Sequence, residues 1–181
     1  MFDDVKKLKK IKEPKKITKQ RLKNIALYYL RRFETSVGKL RQVLQNRVND
    51  YAFFDKEFDK AEAYDWVEEI VGDFQRYGYV DDQRFTEIKI RDYVNAGKSQ
   101  RYIVGKLKEK GVEAAIIDAA WEKQEYNEYD TALKFAQKKH IGPYRSAEKR
   151  QEFKQKDMGA LVRAGFSYDV VLEVLATDID E

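Results

Sequence analysis

Apolar residues in this chain recur at helical spacing over most of its length, in blocks broken by single glycines and capping residues. Ala26, Tyr29, Leu30 and Phe33 share one face and predict a helix near 18–33, with Thr18 as its N-cap and Pro14 setting it apart from what precedes. Val37, Leu40, Leu44, Val48 and Tyr51 form a second stripe, starting at Ser36 and able to run unusually long. After a polar, aromatic-rich stretch at 53–65, a third helix is expected to bury Trp66, Val67, Ile70, Val71 and Phe74. Gly78 ends that block, and Asp81 or Asp82 caps the next helix. The pattern then predicts a helix carrying Phe85, Ile88 and Ile90, a second from Ser99 carrying Ile103 and Leu107, and a third over 113–121, with joints at Gly97 and Gly111. A last block opens near Tyr129 with Ala132, Leu133, Phe135 and Ala136, and breaks at Ile141, Gly142 and Pro143. It resumes through Phe153, Met158 and Leu161 and ends in a helix capped by Ser167.

Two of these stretches, 107–121 and 161–175, align without gaps 54 residues apart. Leu107 matches Leu161, Gly111 matches Gly165, Val112 matches Phe166, Ile116 and Ile117 match Val170 and Val171, and Trp121 falls on Leu175. A weaker third copy shows in the tripeptide GKL at 38–40 and again at 105–107. A self-similar helical period predicts stacked units that share a continuous core and offer an extended surface. The expected organisation is all-α, tandem three-helix repeats: a basic arm over 1–20, then repeats over 21–80, 81–125 and 126–181, the first with a long connection between its second and third helices. Gly111 and Gly165 are expected at positive φ at helix C-termini. Stacked units need no partner chain to complete a core, so a monomer is expected.

Composition narrows the chemistry. Charged residues make up 38% and aromatics 13% of 181 residues, with two prolines and nine glycines, which suits helices around a real core. The chain has no cysteine, which removes disulfides, thiolate metal sites and cysteine nucleophiles. His140 is the one histidine and reads as a cation at a helix C-terminus facing the last carbonyls. There is no phosphate-binding glycine loop, and Asp81 and Asp82, being adjacent, do not face each other as a catalytic pair would. No enzyme, metal or cofactor is expected. A charged N-terminus stands where a signal peptide needs an apolar run, and no stretch reaches membrane-spanning length, so no membrane contact and a cytoplasmic location are expected.

Charge is unevenly placed. Residues 1–23 hold ten basic side chains against three acidic ones, whereas the remainder holds 26 against 29. Such an arm suits phosphates or an acidic surface, and equally a solvated tail. On the helices, Arg31, Arg32, Lys39, Arg41, Arg91, Lys98, Arg101, Arg150 and Arg163 stand among Tyr28, Tyr93 and Tyr102. Interleaved aromatics can stack bases while cations hold phosphates, and the same residues also make an ordinary solvated face. A helix-turn-helix reader is disfavoured, because the helices after the turns carry IIDAAW and VVLEVL where major-groove reading needs Arg, Asn or Gln.

The segments 26–44 (ALYYLRRFETSVGKLRQVL), 78–85 (GYVDDQRF), 98–112 (KSQRYIVGKLKEKGV) and 163–175 (RAGFSYDVVLEVL) together resemble the RecX family, regulators of the RecA recombinase. The likeness spans nearly all of 24–175, and its most specific part is the glycine, aspartate pair and Arg-Phe of 78–85. It departs at 45–65, where the link between helices is longer than the family's short glycine turn, and the arm lies outside it. The resemblance implies an elongated, curved array of three-helix units lying in the groove of a RecA–DNA filament, inhibiting strand exchange and ATP hydrolysis in DNA repair and the SOS response. It implies RecA, and with it single- or double-stranded DNA, as partners, and carries over no catalytic residues. A stand-alone, sequence-nonspecific DNA-binding protein and a purely structural adaptor are the alternatives.

Overall fold

The computed structural model describes residues 14–179, and these form nine α-helices and one 3-10 turn with no strand. The helices are α1 (Lys19–Leu30), α2 (Val37–Phe54), α3 (Lys60–Arg76), α4 (Asp82–Asn95), α5 (Gln100–Glu109), α6 (Ala114–Glu122), α7 (Glu128–Lys139), α8 (Ala147–Arg163) and α9 (Tyr168–Ala176), with the 3-10 turn at Gly142–Tyr144. They gather into two compact units, the first holding residues 14–33 and Leu40–Tyr79, the second Glu34–Lys39 and residues 80–179.

In the first unit α1 packs on α3. Thr18 caps α1 by accepting from the Arg21 N–H at 3.2 Å, and Asp59 caps α3 by accepting from the Glu62 N–H at 2.9 Å. The stripe Leu40, Leu44, Val48 and Tyr51 is buried as its spacing demands. Trp66 is only half-buried; Ala63, one turn before Val67, takes the inward position instead. The indole lies one residue off the stripe of Ala63, Val67, Ile70 and Phe74, so it packs at the flank. The expected long link at 45–65 is mostly helix: α2 continues to Phe54, and only 55–59 separate it from α3. The extra residues lengthened a helix rather than a loop.

The second unit holds two clusters. Around α4, α5 and α6 lie Phe85, Ile90, Val94, Ile103, Leu107, Val112 and Ile117, with Trp121 and Tyr126 at the edge. Ile88 is half-buried, and the neighbouring Thr86 is buried instead. Around α7, α8 and α9 lie Ala132, Ala136, Ile141, Leu161, Phe166, Val171 and Val174.

The repeat is visible atom by atom. Gly111 and Gly165 have φ of 76° and 94°. Beyond them the Val112 N–H bonds the Leu107 carbonyl at 3.2 Å and the Phe166 N–H bonds the Leu161 carbonyl at 3.3 Å, the same glycine-terminated helix end twice over. Leu107 with Leu161, and Ile117 with Val171, are wholly buried pairs. The GKL match is one turn out of register. Ser36 and Ser99 hold equivalent positions, each bonding back to a helix-end carbonyl, so Leu40 and Leu44 correspond to Ile103 and Leu107, and Gly38 to Arg101.

Two expected caps work differently. Ser167 occupies the N-cap position of α9, but its N–H and hydroxyl both bond the Glu128 carboxylate, at 2.8 and 3.0 Å. At His140 it is the backbone N–H, in a left-handed conformation with φ of 51°, that meets the Ala136 and Gln137 carbonyls, while the residue is exposed.

Candidate functional site

The surface cations and tyrosine expected to bind a partner fall into three groups. In the first unit, Arg31 terminates α1 and is exposed, Arg32 lays its guanidinium 5.0 Å from the Tyr28 ring centre, and Arg41 directs Nε at both Glu68 oxygens at 2.9 Å. In the second unit, Lys39 is half-buried and Arg91 is exposed on α4. Arg150 is occupied within the fold: its guanidinium donates to the Arg145 and Pro143 carbonyls and to Asp178, at 3.0, 2.8 and 2.8 Å. Arg150 therefore braces the start of α8 and has few donors left for a ligand.

Lys98, Arg101, Tyr102 and Arg163 do come together. Arg101, Tyr102 and Arg163 line a groove of about 560 Å³ between α5 and the end of α8, with Lys106 and Glu109 on its rim and Lys98 beside Tyr102. The local sequence explains how the groove is held. Ser99 caps α5, its hydroxyl accepting from the Tyr102 N–H at 3.3 Å and donating to the Ala164 carbonyl at 2.6 Å. That carbonyl is one of the last of α8, which would otherwise lack a partner. Gly165 permits the approach: a Cβ there would lie 2.7 Å from the Ser99 hydroxyl oxygen. The positive end of α5 thus abuts the negative end of α8, and Arg101 and Arg163 are brought to one place.

Tyr102 sits one turn from a lysine on either side. The ammoniums of Lys98 and Lys106 lie 5.0 and 5.8 Å from its ring centre, and Tyr93 meets it edge-on at 5.9 Å. Gly105, on the same helix, adds no side chain, and a Cβ there would meet nothing within 4 Å, so the groove is open. Lys106 also bonds Glu109 at 2.7 Å, and that hydrogen bond raises the pKa of its ammonium. Cations outnumber the single carboxylate here, and an aromatic ring lies among them. That combination suits a phosphate-bearing or carboxylate-bearing ligand. Lys106 was not singled out in the sequence, although its spacing of four from Tyr102 carries the signal.

Among the described residues no group of His, Asp or Glu is placed to hold a metal, and no helix is long and apolar enough to cross a membrane. Of the basic arm expected over 1–20, residues 1–13 lie outside the described residues.

Comparison with known proteins adds the family. Residues 81–120 match the second three-helix domain of RecX and residues 125–175 the third. The chain is 35% identical over 175 residues to the regulatory protein RecX of Myxococcus xanthus, covering 95% of this chain and 93% of that one. It is 37% identical over 102 residues to the regulatory protein RecX of Agrobacterium fabrum, covering 56% of this chain and 54% of that one. The crystal structure of RecX from Lactobacillus salivarius matches with a TM-score of 0.56 at 20% identity, over 87% of this chain and 94% of that one, a likeness of fold. The helical repeats, the order of the matched domains and the near full-length likeness agree: this chain belongs to the RecX family.

Proposed function

We propose that this protein binds the RecA–DNA filament and inhibits its ATPase and strand exchange, with the groove of Arg101, Tyr102, Lys106 and Arg163 as part of the contact surface. The observation that carries this reading is the groove's combination of four nearby cations, counting Lys98, with a tyrosine ring, built on the Ser99–Ala164 joint of a RecX-family helical repeat. Filament phosphates and acidic protein side chains are both ligands for such a surface. Lys39 and Arg91, on the same unit, and Arg31 and Arg32, on the first unit, are further contact residues in this proposal. Arg41 and Arg150, engaged with Glu68 and Asp178, contribute little.

The test is RecA's single-stranded-DNA-dependent ATPase, titrated with this protein at two salt concentrations beside its direct binding to bare DNA. Inhibition well below the concentration that coats bare DNA is expected. An ATPase unchanged at saturating protein rejects the proposal, and inhibition only where the DNA is already covered replaces it with simple competition for DNA.

A further inference from the structure

Within the first unit, the start of α1 and the middle of α2 enclose a second cleft of about 600 Å³, unrelated to the groove on α5. Its polar wall is made by Lys15, Arg21, Asn24, Tyr28, Arg47 and Asp50. Three cations stand there against one carboxylate. Among the described residues, neither Arg21 nor Arg47 has an ion-pair or hydrogen-bond acceptor for its guanidinium, in contrast to Arg41, Arg76, Arg84, Arg145 and Arg150, each paired with a carboxylate. Among the described residues the buried Arg21 Nε has no acceptor, so the fold holds a cation at the cleft with that donor unused. A guanidinium so placed favours an anion that brings its own oxygens.

The aromatic component is Tyr28. It is 61% exposed, and the Arg32 guanidinium lies 5.0 Å from its ring centre. One face is thereby matched with a cation while the exposed ring remains available to a planar group. Arg21, the exposed Arg47 and the exposed Tyr28 ring line one cleft, which brings together the two parts a nucleotide site needs: cations for the phosphate and a ring for the base.

We propose that this cleft binds a nucleotide phosphate through Arg21 and Arg47, with the base stacked on Tyr28. The ligand chemistry is a nucleoside phosphate, supplied either by a free nucleotide or by one nucleotide of a single strand. The proposal stands apart from filament binding and is tested without RecA.

The experiment measures fluorescence anisotropy of labelled oligothymidylate with the full chain across a salt series, with thymidine triphosphate as a competing arm. The double variant Arg21→Gln, Arg47→Gln is expected to weaken binding about tenfold and to lower the slope of log affinity against log salt by about 0.7, the value for one single-strand phosphate contact. Asp50→Asn removes the opposing carboxylate and is expected to tighten binding, a gain that misfolding does not produce. Displacement by the triphosphate at equal nucleotide concentration identifies a free-nucleotide site; displacement only at large excess identifies a strand site. Wild-type affinity and slope in the double variant, or no tightening in Asp50→Asn, overturns the proposal.

Discussion

The Ser99 hydroxyl donates to the Ala164 carbonyl at 2.6 Å, and the Ser36 hydroxyl donates in the same way to the Lys110 carbonyl. Each serine also caps its own helix, accepting from the N–H three residues on, Tyr102 at 3.3 Å and Lys39 at 3.1 Å. The next N–H is taken by a side chain from further along the chain, Asp82 for Val37 at 2.8 Å and the Tyr126 hydroxyl for Gln100 at 3.2 Å. One joint, used twice, thus satisfies a helix start with a helix end. Ser99→Ala removes both bonds at once and leaves a carbonyl with one partner fewer, so a loss of about 1–2 kcal/mol is expected, read by urea denaturation.

Glycine substitutions separate open from closed positions. Gly38 lies inside α2, where alanine ordinarily stabilises, yet a Cβ there would stand 2.9 Å from the Gly111 Cα and from the Lys110 oxygen. Both obstacles are backbone, so Gly38→Ala is expected to destabilise. Gly72, inside α3, has nothing within 4 Å of the same added atom, and Gly72→Ala is expected to stabilise by about 0.5–1 kcal/mol. Thermal melts of the two variants moving in the same direction would contradict the account.

Asp157 sets the acid response. It is 2% exposed and accepts from Arg145 Nε and Nη2 at 2.8 and 2.6 Å and from the Gly142 N–H at 2.9 Å. Burial alone would raise its pKa, but the Arg145 and Gly142 hydrogen bonds outweigh burial and hold the carboxyl below the usual carboxylate value. A depressed folded-state pKa contributes stability that is full above the unfolded value, about 3.9, and is lost as pH falls through the lower folded value. Asp157→Asn is expected to cost about 2–3 kcal/mol at neutral pH and to flatten that acid limb. Denaturation midpoints from pH 7 downward check both, and an unaltered acid limb in the variant would assign the effect elsewhere.

Charge reversal addresses the groove. Arg101→Glu with Arg163→Glu places two carboxylates where the proposed partner meets cations, and inhibition of RecA's ATPase is expected to weaken by at least about tenfold, with most of the loss at low salt. Both residues are exposed, so the helical circular dichroism and melting temperature are expected to hold. Full inhibition by the doubly reversed protein would exclude the groove from the contact.

Local pattern alone was enough for most of the helices, their glycine ends at Gly111 and Gly165, the cap at Thr18, a cap at Asp81 or Asp82, the start of α5 at Ser99 and the likeness to RecX, because periodicity and capping are properties of neighbouring residues. The spacing of four that sets Lys98 and Lys106 on either side of Tyr102 was likewise readable. Tertiary structure alone decided that Ser99 meets Ala164, 65 residues away, and so that Arg163 stands beside Arg101. It also decided that Asp157 is buried on Arg145 and that Arg150 braces backbone carbonyls, although each reads in sequence as one more surface charge. Nor does an expected cap reveal its rival: Ser167 turned to Glu128, a partner 39 residues distant. The physical reason is the same throughout. A helix's period records which face turns inward, but the partner of a polar group depends on which distant helix end arrives beside it, and no local spacing encodes that meeting.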